Sequence, residues 1–178
     1  WLTKNTNMES AFSFLLHSDR RHWDTVFQII TRNIYIKYIQ LPANTYAAPV
    51  RAEHLHRVND TWPYKYEGSQ YFFTILNRNG LSYGLYSLTH ELLAWVFVND
   101  FNFLCHLYCE EEHRKKGYAE YVMKWAVNEH LKQANDVYGY VLVNNEKPVK
   151  LFKKLGFQVV DVGGYLYVQK FSKDATMY

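Results

Sequence analysis

Apolar positions along the chain change period several times, and each change marks an element. Residues 51–59 place Leu55 and Val58 at helical spacing, and Trp62-Pro63 stops that pattern. Residues 69–76 predict a second short helix, opened by a Ser69 cap and closed by Asn77-Arg78-Asn79-Gly80. Residues 81–88 and 92–99 are apolar, aromatic and β-branched runs, and Asn99-Asp100 supplies turn chemistry before a third strand over 101–109. These three runs predict an antiparallel meander. From Gly117 the period becomes 3.6, with Tyr118, Val122, Trp125, Ala126, Glu129 and Lys132 alternating faces of a long helix that ends at Ala134-Asn135. A buried strand over 137–143, a helix over 149–155 ended by Gly156, and a β region over 157–170 interrupted by Gly163-Gly164 complete the pattern. The order ααβββαβαβ predicts an α/β fold of layered α+β type: a central mixed sheet with a parallel pair in its middle, flanked by helices.

Upstream, residues 9–17 and 23–30 have helical spacing and residues 33–41 the content of a strand, while Leu41-Pro42-Ala43-Asn44-Thr45-Tyr46-Ala47-Ala48-Pro49 reads as a linker. We therefore expect residues 1–45 to be the remnant of a preceding domain plus linker, with a docked subdomain as the competing view, and residues 46–178 to be the main domain. The first residue is Trp1 rather than Met, which fits an excised piece. Composition narrows the picture modestly. A chain of 178 residues with 48% hydrophobic content supports one core, and 20 Lys+Arg against 17 Asp+Glu leave a net charge of only +3. That charge, with no basic stripe beyond Arg114 to Lys116, argues against nucleic acid as a partner. No run approaches the ~20 apolar residues of a membrane span and no secretory h-region follows Trp1, so the expectation is no membrane partner and an intracellular protein, cytoplasmic or mitochondrial. Cys105 and Cys109, four apart on a strand, fall on one face about 13 Å apart, too far for a disulfide, and read as buried core thiols.

Candidate chemistry concentrates in Leu107-Tyr108-Cys109-Glu110-Glu111-Glu112-His113-Arg114-Lys115-Lys116-Gly117-Tyr118-Ala119. A strand runs into a polar loop, and Arg-x-x-Gly-x-Ala opens the long helix. Such a junction offers unpaired backbone N–H groups and the positive end of a helix dipole to an anion. Gly117 and Ala119 leave room for close approach, and Arg114, Lys115 and Lys116 add charge. The alternative is a solvated basic turn beside an acidic run. Consecutive Glu110, Glu111 and Glu112 diverge in a loop, so they read as a solvated face rather than a metal site, and no metal is expected.

The three-strand meander before this motif, and Asn145-Glu146-Lys147-Pro148-Val149-Lys150-Leu151-Phe152-Lys153-Lys154-Leu155-Gly156-Phe157 after a strand, resemble the two signature segments of the GCN5-related N-acetyltransferase (GNAT) superfamily. The resemblance covers roughly residues 51–169. It implies the GNAT acyl-CoA N-acyltransferase fold, with acetyl-CoA or another acyl-CoA as co-substrate. The pyrophosphate would lie on the loop of Arg114, Lys115, Lys116, Gly117, Tyr118 and Ala119. The pantetheine amides would pair with the backbone of Leu107, Tyr108 and Cys109, and Asn145 would touch the pantetheine or cap the next helix. The segment Glu53-His54-Leu55-His56-Arg57-Val58-Asn59-Asp60-Thr61-Trp62, together with Trp95, is similar to the glycine N-acyltransferase-like branch, which implies a small amine or amino-acid acceptor such as glycine.

Two positions depart from the superfamily pattern. Where a glutamate commonly deprotonates the acceptor stands Phe103, and where a tyrosine commonly protonates the thiolate stands Phe152. A phenyl ring transfers no proton. The acceptor can arrive neutral, another side chain can serve, or the protein can bind acyl-CoA without turning it over. Candidates for the second case are Asp100 and His106. His106 has the better titration range, but on a regular strand it points to the face opposite Phe103 unless a bulge intervenes, and the reading favoured for it is a structural histidine with its nitrogens satisfied. Tyr138, Tyr140, Tyr165 and Tyr167, at alternate positions, could line an acceptor cleft.

Overall fold

A computed structural model describes residues 16–31, 39–99, 101–133, 136–142 and 144–169, with side chains for those between 39 and 158. In chain order the elements are β1 (Leu16–Thr31), β2 (Thr45–Ala48), a 3-10 turn (Ala52–His54), α1 (Leu55–Asp60), α2 (Ser69–Arg78), β3 (Ser82–Ser87), β4 (Leu92–Val98), β5 (Phe103–Cys109), a 3-10 turn (Glu111–His113), α3 (Tyr118–Lys132), β6 (Val137–Leu142), α4 (Glu146–Lys154) and β7 (Gln158–Gln169). Among the described residues the strands form one sheet in the order β2-β3-β4-β5-β6-β1-β7. The expected meander β3-β4-β5 is present, and β5 and β6 form the expected parallel pair.

Four expectations are corrected. Residues 23–30 are not helical: β1 runs through them, antiparallel to both β6 and β7. The stretch is rich in β-branched and aromatic residues, Thr25, Val26, Phe27, Ile29, Ile30 and Thr31, and a slot between two strands overrides a short 3.6 spacing. The linker holds the edge strand β2, which pairs with β3. Gly163-Gly164 does not interrupt the last strand, because both residues lie in the ladder opposite Val26 and Thr25. Ser69 is not the cap of α2: Gly68 takes that position at φ 92°, and the Ser69 hydroxyl bonds Asn59 and the carbonyl of Tyr66 instead. Of the strand expected over 33–41, residues 33–38 lie outside the described residues and 39–41 have no regular structure.

Helices cover the two faces of the sheet. On one, α1 and α2 bury Leu55, Val58, Phe73 and Leu76 against Tyr86, Leu92, Trp95 and Phe97. On the other, α3 and α4 bury Val122, Met123, Ala126, Val127 and Phe152 against Leu85, Ala94, Val96, Leu104, Val137 and Val141. Removing this apolar area from water is the main driving force for closing both layers.

Because β1 lies between β6 and β7, a proline in it removes a ladder hydrogen bond from the sheet interior. Gln28→Pro is expected to lower the unfolding free energy by at least about 1 kcal/mol. Denaturant unfolding with an unchanged midpoint would show that β1 is not an interior strand.

Candidate acyl-CoA site

Strand β5 is irregular. Trp95 faces Tyr108 and Phe97 faces Cys105, so two steps along β4 are matched by three along β5. This is a β-bulge, and His106 sits in it at φ 49°, the left-handed region that few non-glycine residues adopt. The bulge reverses the alternation: Cys105 and Tyr108 pack toward α1 and α2, and Leu107 and Cys109 toward α3. Cys105 and Cys109 therefore lie on opposite faces of the sheet, both half-buried, rather than together in the core. His106 is turned onto the α1–α2 side, where its ring centroid lies 5.3 Å from Phe73 and 5.8 Å from Trp95.

Beyond the bulge the sheet opens. The parallel pairing of β5 with β6 consists of Phe103 with Tyr138 and Leu104 with Gly139. From there β5 continues against β4, while β6 continues against β1 as far as Leu142. The two strands part, and among the described residues no strand pairs with the edge of Leu107, Tyr108 and Cys109. A chain carrying amides can pair with such an edge as an added strand would.

The N-terminus of α3 lies just past that edge. Lys115 and Gly117 take positive φ, 63° and 81°, and Gly117 is the cap residue with no side-chain cap bond. Among the described residues, no N–H from 115 to 120 donates to a backbone carbonyl. A Cβ built on Gly117 meets nothing within 4 Å, so its surroundings are open and its conformation alone demands glycine. Together these features make a cradle for an anion at the positive end of a 15-residue helix. Lys115 and Lys116 are exposed beside it. Arg114 is engaged elsewhere: its Nε donates to Cys109 O at 3.2 Å, its guanidinium lies 5.6 Å over the Tyr108 ring, and it pairs with Glu111 at 3.0 Å.

Three ion pairs lie near the cradle, and two of them, Glu120 with Lys154 and Glu110 with Arg57, were not legible in the sequence. The Glu120 carboxylate lies in the first turn of α3, where it would repel an anion. Lys124 at 2.7 Å and Lys154 at 2.6 Å bind it and hold it below the usual carboxylate range. Glu110, expected to be solvated, takes a bidentate bond from Arg57 at 2.8 and 2.7 Å, which ties α1 to the end of β5. A groove of about 450 Å³ lies there, lined by Arg57, Leu92, Leu93, Glu110 and residues 111–113 among others.

The remaining candidates separate. Asn145 occupies the cap position of α4, but its side chain makes no cap bond. Phe152 is buried, 4.8 Å from the Phe157 ring. Phe103 stacks on Tyr140 at 4.8 Å and lies 5.2 Å from Tyr138. Asp100 and the side chains of Tyr165 and Tyr167 lie outside the described residues. His106 Nε2 is 2.7 Å from Val58 O and 3.2 Å from Thr61 Oγ1. A carbonyl only accepts, so Nε2 carries the hydrogen and donates it to a carbonyl in the last turn of α1 that also accepts from Thr61 Oγ1. Burial pushes its pKa down to about 4, against a smaller opposing effect of the Val58 bond. It is neutral at pH 7 and a weak base.

Comparison with known proteins agrees with the architecture. The FR47-like family model matches residues 82–166, which contain the meander, the cradle and α4. No curated protein matches the chain. The structure is similar to that of a Drosophila protein, at 24% identity and a TM-score of 0.76, over 92% of this chain and 56% of that one. It is similar to a GNAT-family acetyltransferase from Colwellia psychrerythraea, at 14% identity and a TM-score of 0.63, over 93% of this chain and 63% of that one. It is also similar to Arabidopsis thaliana NAA60 in complex with a bisubstrate analogue, at 19% identity and a TM-score of 0.57, over 69% of this chain and 95% of that one. The same plant protein is known in complex with acetyl-CoA. The fold is that of the GNAT acetyltransferases. The chain spans less than two thirds of the length of the Drosophila and Colwellia proteins.

The low pKa of His106 makes a stability prediction. The unfolded chain takes up the proton near the ordinary value of about 6.5 and the folded one only near 4, so stability is full above pH 6.5 and is lost as pH falls between the two. The loss from this residue is about 3 kcal/mol. His106→Gln, which keeps a donor and does not titrate, is expected to flatten that part of the stability–pH curve. An unchanged slope would show that the ring is not buried as a neutral donor.

Proposed function

We propose that this domain is a CoA-dependent N-acyltransferase that moves an acyl group directly from acyl-CoA to the amine of a small molecule or amino acid of the glycine type. The observation that carries the reading is the parting of β5 and β6 beside an open, unpaired helix N-terminus. The strand edge suits the pantetheine amides and the cradle suits the pyrophosphate. NAA60, with the same fold, binds acetyl-CoA and a bisubstrate analogue, which supports acyl-CoA and an amine as the two substrates. In this reading Leu107, Tyr108 and Cys109 hold the pantetheine, and Lys115, Lys116, Gly117, Tyr118 and Ala119 hold the phosphates through backbone N–H groups and charge. Arg114 braces the loop against the end of β5, and Asn145, with no cap to make, is free to reach the pantetheine. The glycine N-acyltransferase-like branch remains our assignment on the segment 53–62 and Trp95. So does the division into a remnant at 1–45 and an acyltransferase domain at 46–178, to whose sheet the first part lends β1.

One observation favours a second reading, an acyl-CoA-binding module without turnover. Phe103 and Phe152 occupy both expected proton-transfer positions, and His106 is committed to Val58. The two readings share the site and differ in whether an amide forms.

Acetyl-CoA at about a hundred times its Kd is expected to stabilise the domain by about 2.7 kcal/mol, a rise of roughly 5–10 °C in Tm. Gly117→Val places a side chain in the cradle and strains the αL position, so it is expected to stay folded by circular dichroism and lose at least about tenfold in affinity. No shift with acetyl-, benzoyl- or longer acyl-CoA would refute the site, and a normal shift in Gly117→Val would place it elsewhere.

A further inference from the structure

The first turn of α3 carries a charge of the wrong sign for the ligand proposed there. Tyr121 N–H to Gly117 O, at 2.9 Å, is the first helical bond, so the N–H groups of Tyr118, Ala119 and Glu120 precede the helical ladder. Glu120 is the third helical residue counted from the Gly117 cap. From that position a carboxylate can reach back toward the start of its own helix, where it also sits at the positive end of the dipole. It is an internal competitor of any anion that would bind there. Both of its oxygens are drawn elsewhere. Oε1 takes the Lys124 ammonium at 2.7 Å, one turn farther along the same helix, and Oε2 takes the Lys154 ammonium at 2.6 Å, from the last turn of α4. The bonds from Lys124 and Lys154 hold the carboxyl group below its ordinary range, so it is ionised at pH 7. Lys154 stands on an anchored element, since Phe152 and Leu155 are buried in the layer that also holds Val122. Ion pairs with exposed members add little to stability, so the main consequence of this one is where the carboxylate is kept.

We propose that Lys124 and Lys154 are positioning residues of the acyl-CoA site, which hold the Glu120 carboxylate off the first turn of α3 and so keep its N–H groups open to the ligand phosphates. The inference rests on the acyl-CoA reading above and deepens it. Both lysines act through Glu120 rather than on the ligand, which sets them apart from the exposed Lys115 and Lys116 beside the cradle. The i,i+4 bond from Lys124 draws the carboxylate toward the second turn, and the bond from Lys154 fixes its other oxygen to α4. Without the two ammonium groups the carboxylate turns back onto the N–H groups it now leaves open, and its charge, no longer matched, repels phosphate. The place of α4 thereby decides the anion affinity of α3, through one carboxylate shared between the two helices.

The test uses the full chain at about 0.15 M salt, where exposed charges more than about 8 Å apart are largely screened. Acetyl-CoA affinity is measured by titration calorimetry for the wild type, Lys124→Gln/Lys154→Gln, Glu120→Ala and the triple variant, and amide hydrogen exchange at 118–120 is followed in each without ligand. The double lysine variant is expected to bind about fivefold more weakly, with slower exchange at 118–120. In the triple variant exchange is expected to return to the wild-type rate, with affinity within about twofold of Glu120→Ala. Lys124→Arg/Lys154→Arg, which keeps both charges, is expected to bind as the wild type does. Should loss of Lys124, whose side chain is only 25% exposed, disturb folding by circular dichroism, Lys154→Gln with and without Glu120→Ala carries the same comparison, with an expected loss of about threefold. Unchanged affinity or unchanged exchange on removal of the lysines would overturn the inference. So would an equal loss of affinity with and without Glu120, which would make the lysines direct partners of the phosphates. If the wild type binds no acetyl-CoA, the acyl-CoA reading itself fails and this inference with it.

Discussion

A single extra residue in β5 sets the geometry on which the rest of the site depends. In a regular strand His106 would point toward α3, and Leu107, Tyr108 and Cys109 would each face the opposite side. The bulge reverses them and places an imidazole in the apolar layer between the sheet and α1. Left-handed backbone at a non-glycine residue costs on the order of 1–3 kcal/mol, and the ring contacts and the bond to Val58 offset it. In return the strand twists away from β6 after the Leu104–Gly139 pair, and the opening between the strands follows.

The electrostatics of the opening follow from how neighbouring charges are paired. Glu120 would weaken the anion cradle, but two lysines cancel it, and one of them, Lys154, comes from α4. Arg57 would strengthen it only at a distance, and it is held by Glu110. What remains is the helix dipole, the unpaired N–H groups and the exposed Lys115 and Lys116, all at one end of the opening. On the other side, α1, α2 and β4 present aromatic rings and a neutral imidazole. Unpaired lysine charge is therefore concentrated at the α3 end of the opening, and the charges of the groove beside α1 are mainly carboxylates.

Much of this was legible in the sequence where a pattern is local. The change from period two to 3.6 at Gly117 placed the strand–loop–helix junction, and the pairing of β5 with β6 followed from the crossover through α3. What depends on distant partners was hidden. The apolar spacing in 23–30 suits a helix as well as a strand, and only the slot between β6 and β7 decides between them. Gly163-Gly164 carries turn chemistry, yet the length of β1 draws it into the ladder. The face that His106 takes could not be read because parity along β5 depends on a bulge that no residue type marks. The signals for Arg57 with Glu110 and for Glu120 with Lys154 are 53 and 34 residues apart in sequence, and only the fold brings them together.

The most direct test of the account is amide hydrogen exchange with and without saturating acetyl-CoA. The N–H groups of 115–120 have no backbone acceptor among the described residues, and those of 107–109 border the opening between β5 and β6, so these are where a bound ligand would add hydrogen bonds. The account predicts that acetyl-CoA slows exchange at 107–109 and at 115–120, with smaller changes across α2. Saturation with protection confined to other segments, or with none at these two, would contradict it.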